Sequence, residues 1–222
     1  MTLIHSLVKN GDGNKAWRGS VPLFKTILAD PPWQFSNRTG KMAPEHRRLH
    51  RYPTMTLPEI CSLPVKMITD EQAHLYLWVP NALLYEGLQV MDAWGFTYKT
   101  NIVWYKIRKD GGPDGRGVGF YFRNVTELLL FGTKGHFRTL PPGRRQVNIV
   151  ATRKREHSRK PDEVYGLIER CSKGPYLELF ARHSRGGWAQ WGNEIPLNTE
   201  ISVHKINGHT GHVHPRMSVR TT

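Results

Sequence analysis

Apolar residues fall along this chain in two rhythms. Short continuous runs, Phe24-Lys25-Thr26-Ile27-Leu28-Ala29 and Ala73-His74-Leu75-Tyr76-Leu77-Trp78-Val79, have the length and side-chain character of buried strands. Each is closed by proline, in Asp30-Pro31-Pro32 and in Pro80-Asn81. Proline ends a strand because it removes a backbone donor and fixes φ. Lys99 to Lys106, rich in Ile, Val, Trp and Tyr, predicts a third strand. Glu127 to Phe131 predicts a fourth ended by Gly132, Val147-Asn148-Ile149-Val150 a fifth, and Tyr176 to Ala181 a last one. Between these runs the apolar spacing becomes helical. Leu57 to Ile68 predicts a helical stretch broken at Pro64. Ala82 to Trp94 predicts a helix with Leu83, Leu84, Leu88 and Met91 on one face and Gly95 as its C-cap. Pro161 to Cys171 predicts another, with proline in its first turn, Asp162 and Glu163 beside it and Arg170 near its end, an arrangement that suits the helix dipole. Strands alternating with helices predict an α/β sheet of parallel strands. There is no internal repeat.

The segments between these elements carry the charge. Asn37 to Arg51 holds Arg38, Lys41, Arg47, Arg48 and Arg51 together with His46 and His50. Phe137 to Lys160 holds Arg138, Arg144, Arg145, Arg153, Lys154, Arg155, Arg159 and Lys160 against the single acid Glu156. Over 222 residues Lys plus Arg number 32 and Asp plus Glu 18, a net charge of +14. Such an excess predicts a polyanionic partner, most simply nucleic acid, with solubility alone as the alternative. Because the basic residues bracket the candidate site segments, Arg47, Arg48, Arg51, Arg144, Arg145, Arg153, Lys154 and Arg155 are expected to contact phosphates.

Other counts exclude whole classes. No run approaches the roughly 18 apolar residues of a membrane span. Cys61 and Cys171 are the only cysteines, which excludes a disulfide scaffold and predicts two buried apolar thiols. The 7 Trp, 8 Tyr and 8 Phe argue against a disordered chain. Met1 to Ala16 has no continuous apolar stretch, so the expectation is a cytoplasmic protein, nucleoid-associated if bacterial. The chain divides into an extension (1–22), one domain (23–197) and a polar tail (198–222). His209, His212 and His214 lie in that tail with no cysteine nearby, and no metal site is expected. Gly115-Arg116-Gly117-Val118-Gly119 follows no clear strand and reads as part of a glycine-rich loop, Lys109 to Gly119.

The sharpest local chemistry is Asp30-Pro31-Pro32-Trp33 at the carboxyl end of a buried strand, where ligands bind in open α/β sheets. A carboxylate there can accept from an amino group, the prolines leave carbonyls as fixed acceptors, and Trp33 can stack on a planar ring. An acidic acceptor, a carbonyl acceptor and an aromatic face together suit an exocyclic amine on a nucleobase. The alternative is a Pro-Pro turn with the aspartate as a helix cap. Tyr76, Trp78, Trp94 and Trp104 fall in strand or helix patterns and are expected in the core.

The tetrapeptide and its surroundings resemble the MT-A70 family of adenine N6-methyltransferases. Tyr52-Pro53-Thr54-Met55, Leu77-Trp78-Val79, Trp94-Gly95-Phe96, Ile102-Val103-Trp104-Tyr105-Lys106, Ser158-Arg159-Lys160-Pro161-Asp162-Glu163, Glu178-Leu179-Phe180-Ala181-Arg182 and Trp191-Gly192-Asn193-Glu194 look like the family's further segments, in its order. The stretch after Arg182 is shorter than in eukaryotic members and is similar to small bacterial and phage members. The resemblance implies a Rossmann-like class I methyltransferase fold in permuted order, with the catalytic motif ahead of the cofactor segment, and S-adenosylmethionine as cofactor. It implies that Asp30 and the Pro31 carbonyl bind the N6 amine, with Pro32 and Trp33 completing the motif, that Tyr52 and Trp33 border the base, that Glu127 is a base-contacting acid, and that Lys160 sits between base and cofactor. Arg182, Asn193 and Glu194 would hold the cofactor, alongside Asp30 and Lys160. The implied activity is adenine N6 methylation of DNA, with RNA methylation or a catalytically silent nucleic-acid-binding subunit as alternatives. The implied assembly is a homodimer or a pair with a methyltransferase-like partner.

Overall fold

Strand β1 (Phe24–Ala29) is buried along nearly its whole length, as a strand covered on both faces must be. The computed structural model, which describes residues 23–35, 54–115, 121–154 and 159–192, sets β1 inside a seven-stranded sheet. The other strands are β2 (Thr69–Val79), β3 (Thr97–Ile107), β4 (Thr126–Lys134), β5 (Ile149–Arg153), β6 (Tyr176–Leu179) and β7 (Trp188–Trp191). Their order is β5-β3-β4-β2-β1-β6-β7. The expected Rossmann-like α/β sheet is observed, with one correction: it is not wholly parallel. β1 runs parallel to β2 and β6, β6 to β7 and β3 to β5, whereas β4 runs antiparallel to both β2 and β3. No described helix joins β3 to β4 to carry the chain back across the sheet, so the chain returns in the opposite direction.

Side-chain alternation builds two cores. Leu75, Leu77, Val79 and Leu130 face one side, under α1 (Leu57–Cys61), α2 (Val65–Ile68) and α3 (Leu84–Ala93). Tyr76, Trp78, Leu129 and Phe131 face the other, under α4 (Glu163–Cys171). Trp78, Trp94, Tyr76 and Trp104 are buried as expected. Cys171 is buried, but Cys61 is only partly so. The broken stretch after Leu57 resolves into α1 and α2, separated at Pro64. A capping box on Thr56 and Glu59 starts α1. In α3 the buried residues are Gly87, Val90 and Met91, with Leu83 and Leu88 packed partly buried beside them, so the expected face holds except at Leu84, which is exposed. β4 runs through Gly132 to Lys134, β5 begins at Ile149, and β7 was not expected at all. Among the described residues no helix is long and apolar enough to cross a membrane.

This topology positions the site. From β1 the chain passes to β2 on one side and returns much later as β6 on the other, so a crevice opens at the carboxyl end of β1. Because β4 is reversed, its first residues, Thr126 and Glu127, reach that same edge.

Candidate active site

Asp30 is the first residue beyond β1, and its N–H donates to the Leu179 carbonyl at the end of β6 (3.4 Å). The prolines that follow are anchored. The Pro31 carbonyl accepts from the Trp33 N–H (2.8 Å) and the Pro32 carbonyl from the Met55 N–H (2.9 Å). The expected free carbonyls therefore each carry one bond already, and each keeps a second lone pair. Trp33 also departs from expectation. It is buried, packs in the core under α1, and its indole N–H donates to the Trp78 carbonyl (2.9 Å). Its ring pins the turn and does not lie open as a stacking face.

Three strand ends and one helix entry bring charges together above this turn. Lys160, just ahead of α4, places its Nζ 3.1 Å from Asp30 Oδ1 and 2.6 Å from Glu127 Oε1. Lys106, near the end of β3, places its own Nζ 2.9 Å from Glu127 Oε2. Lys160 also lies over the Trp78 ring at 5.4 Å, and Lys106 over the Trp104 ring at 4.6 Å, so the two tryptophans expected as core also floor the ion array. Burial pushes the Asp30 carboxyl above its usual range, against the pull of the Lys160 ammonium. Burial acts on Glu127 in the same sense, but the Lys160 and Lys106 ammonium groups outweigh it and hold that carboxyl at about 2. Burial would release the Lys160 proton, but Asp30 and Glu127 outweigh it and keep the ammonium charged.

Beside the array a cleft of about 320 Å³ opens between the ends of β1 and β6. Its lining mixes acids (Asp30, Glu178, Asp162), bases (Lys160, Arg182, Arg185) and aromatic rings (Trp78, Tyr165, Phe180). Glu178 accepts from the Tyr165 hydroxyl (2.7 Å) and from Gln190 Nε2 (3.0 Å), and burial raises its pKa. Arg185 stacks on the Tyr165 ring at 4.1 Å. Phe180 takes the left-handed conformation (φ 64°), which turns the chain sharply out of β6 and into the lining.

Of the expected site residues, the fold brings together Asp30, Pro31, Pro32, Glu127, Lys160 and Arg182. Tyr52, Arg47, Arg48, Arg51, Arg155, Asn193 and Glu194 lie outside the described residues, as do the 198–222 tail and 116–119. The fold divides the described part of the basic bracket between two ends of the sheet. Arg153 and Lys154, at the end of β5, lie on the same sheet edge as Asp30, and Lys154 pairs with Asp114 at 3.3 Å. Arg144 and Arg145 lie on the opposite edge, in a 3-10 turn (Pro141–Arg145) tied to Cys171 at the far end of α4. The chain crosses the whole sheet along β5 between the two pairs, a reversal that sequence proximity conceals. Sequence reasoning assigned no role to Lys106 or Glu178. The signal was there: Glu178 is a charge in an otherwise apolar and aromatic strand, and Lys106 closes the apolar and aromatic run Ile102 to Tyr105.

An α/β sheet with a polar, aromatic-floored cleft at its switch point is consistent with a Rossmann-like methyltransferase fold. The chain belongs to the MT-A70 family, whose model matches residues 24–194. It is similar to the Type II methyltransferase M.MunI of Mycoplasma sp, 31% identical over 195 residues covering 79% of each chain. It is also similar to the human N(6)-adenosine-methyltransferase catalytic subunit METTL3, 30% identical over 179 residues. A putatively named Medicago truncatula relative, MT-A70-like, is 32% identical over 180 residues. The chain spans 28% of the length of the human relative and 26% of the plant one.

Proposed function

We propose that this protein is an S-adenosylmethionine-dependent methyltransferase that acts on N6 of adenine in DNA. The observation that carries the reading is the carboxylate of Asp30, fixed at the switch point of the sheet and bridged through Lys160 to Glu127. Asp30 accepts one N–H of the adenine amine, and the second lone pair of the Pro31 carbonyl accepts the other. Holding both hydrogens draws the nitrogen lone pair out of conjugation with the ring and aims it for attack, a positioning and electrostatic contribution. Lys160 and Lys106 keep Glu127 charged, and Glu127 in turn holds the Lys160 ammonium beside Asp30 at the border of the base.

The cleft fits the proposed cofactor, a sulfonium nucleoside that carries an amino acid. Its size falls in the small-molecule range. Asp30 and Glu178 offer carboxylates to cationic groups, and Arg182 and Arg185 offer guanidinium groups to a carboxylate. When bound, S-adenosylmethionine supplies an electrophilic methyl group. The chain's own residues bind it, orient it and shield it from water.

DNA is favoured over RNA because the chain matches the compact Type II methyltransferase over 79% of that protein, against 28% of the human N(6)-adenosine-methyltransferase. RNA methylation is the second reading, supported by the names of the latter group. Pairing with a second methyltransferase-like chain and a cytoplasmic setting belong to the same proposal.

The test incubates the protein with labelled S-adenosylmethionine and single- and double-stranded DNA and RNA, then digests to nucleosides for mass spectrometry. N6-methyldeoxyadenosine is expected, and N6-methyladenosine from RNA alone would transfer the reading to RNA. Asp30→Ala is expected to lower turnover by about 100-fold or more, in line with losing an electrostatic group at the reacting atom, while melting stays cooperative. Retained methylation in that variant would remove Asp30 from its role. Absence of both product and cofactor binding by calorimetry would leave a silent nucleic-acid-binding subunit.

A further inference from the structure

Two consecutive aromatic side chains beside the site stand almost wholly in water: Tyr121 is 93% exposed and Phe122 85% exposed. Their neighbours along the chain show how unusual this is, since the strand they lead into buries Leu129, Leu130 and Phe131. Exposed aromatic rings carry a hydrophobic cost, and a fold that keeps two of them adjacent presents a contact surface.

Their position narrows the partner. The Lys106 N–H donates to the Val125 carbonyl (2.8 Å), so the pairing of β3 with β4 continues beyond Tyr105 and Thr126 towards the carboxyl end of β3. Val125, three residues after Phe122, therefore lies at the sheet edge that holds Asp30, Glu127 and Lys160. Phe122 and Glu127 are five residues apart in the sequence, a reach of at most about 17 Å at the rise of a strand. That spans only a few nucleotides of a single strand. Arg153 is exposed on the same edge at the end of β5, within a chain of net charge +14. Exposed aromatic faces on a strongly basic chain match one ligand chemistry well: unstacked bases on a phosphate backbone.

We infer that Tyr121 and Phe122 stack on the nucleobases flanking the target adenine and hold them apart while the adenine occupies the site at Asp30 and Glu127. A base inside a duplex cannot offer its amine to a pocket, and an apolar wedge that occupies the vacated stack lowers the cost of extruding it. This rests on the proposed nucleic-acid methylation and adds the groups that hold the strand.

The experiment compares wild type, Tyr121→Ala/Phe122→Ala, and Tyr121→Ala/Phe122→Trp on adenine-containing mixed-sequence DNA and RNA oligonucleotides, single-stranded and duplex. Affinity is read by fluorescence anisotropy, turnover by methyl transfer, cofactor affinity by calorimetry and fold by thermal melting. The double alanine variant is expected to bind oligonucleotides about tenfold or more weakly. KM should rise accordingly, with kcat at saturation, cofactor affinity and melting unchanged. The tryptophan variant is expected to recover most of the loss. Oligonucleotides with 5-iodouracil beside the adenine are expected to photocrosslink at Tyr121 or Phe122. Wild-type affinity in the double alanine variant would overturn the inference. So would a loss of affinity that tracks dissociation of a dimer in light scattering, since the rings would then join two copies of the chain. A wild-type protein that methylates while the variants are unaffected sinks this inference alone. A wild-type protein that binds and methylates no oligonucleotide sinks the proposed function with it.

Discussion

Lys160 is the residue on which the site turns. One ammonium meets Asp30 at 3.1 Å and Glu127 at 2.6 Å, with the Trp78 ring beneath it. Burial lifts the Asp30 pKa above its ordinary 3.8, and Lys160 is the first influence opposing that rise. In the proposed reaction Asp30 must be ionised to accept the amine, so activity should fall as pH drops through its raised value. The acid limb of kcat/KM is expected above the ordinary aspartate range, and Lys160→Met should move it to still higher pH, because the opposing charge is gone. A pH–rate profile with the limb unmoved in Lys160→Met would show that Lys160 does not set the Asp30 charge. Glu127 has the opposite sign. Its folded value of about 2 lies below its ordinary 4.5, so its contribution to stability is fully present above 4.5 and is lost as pH falls towards 2. Asp30 and Lys160 are legible in the motif segments of the sequence, and Glu127 at the start of the fourth expected strand. The inward turn of Trp33 is not, because whether an aromatic beside a turn faces solvent or core depends on a partner, here the Trp78 carbonyl, that is 45 residues away.

Helix α3 shows how packing overrides local preference. Gly87 lies inside the helix, where alanine is intrinsically better by about 1 kcal/mol. A Cβ at that position would lie 2.6 Å from Val79 Cγ2 and 2.9 Å from Val79 Cγ1. Val79 is fully buried in β2, and its branched side chain has little freedom to turn aside. The overpacking cost of about 1–3 kcal/mol should therefore outweigh the propensity gain, leaving Gly87→Ala destabilised by about 1 kcal/mol in urea denaturation. An increase in stability would mean the helix shifts away from β2 at no cost. Leu84 is the one member of the expected face left out: Leu83, Leu88 and Met91 pack on the core, and Leu84 stands exposed at the start of the helix. In β2, the lone histidine of an apolar run is a satisfied core group. His74 bonds Ser172 Oγ through Nδ1 (2.7 Å) and the Phe137 carbonyl through Nε2 (2.9 Å).

Across the whole molecule, one reversed strand and one crossing strand decide which charges act together. The reversal of β4 carries Glu127 to the edge where Asp30 ends β1, and β5 carries the chain from Arg144 and Arg145 on one edge to Arg153 on the other. A polyanion bound over the cleft should be neutralised by Arg153 and not by the distant pair. Arg153→Gln is expected to reduce the slope of log affinity against log salt by about 1, while Arg144→Gln/Arg145→Gln leaves it close to wild type. Equal effects from both variants in a salt titration would require nucleic acid to wrap both edges.

The sequence by itself determined the class of fold, the strand and helix segments within a few residues, and the identity of the acid, the lysine and the second carboxylate. These are local matters, written in apolar period, in proline and glycine punctuation, and in ordered motif segments. Tertiary structure alone decided the direction of β4, the addition of β7, the inward turn of Trp33, the recruitment of Lys106 and Glu178, and the division of the basic loops between two edges. Each of these depends on which distant backbone or side chain comes to lie alongside, and no window of sequence contains both partners.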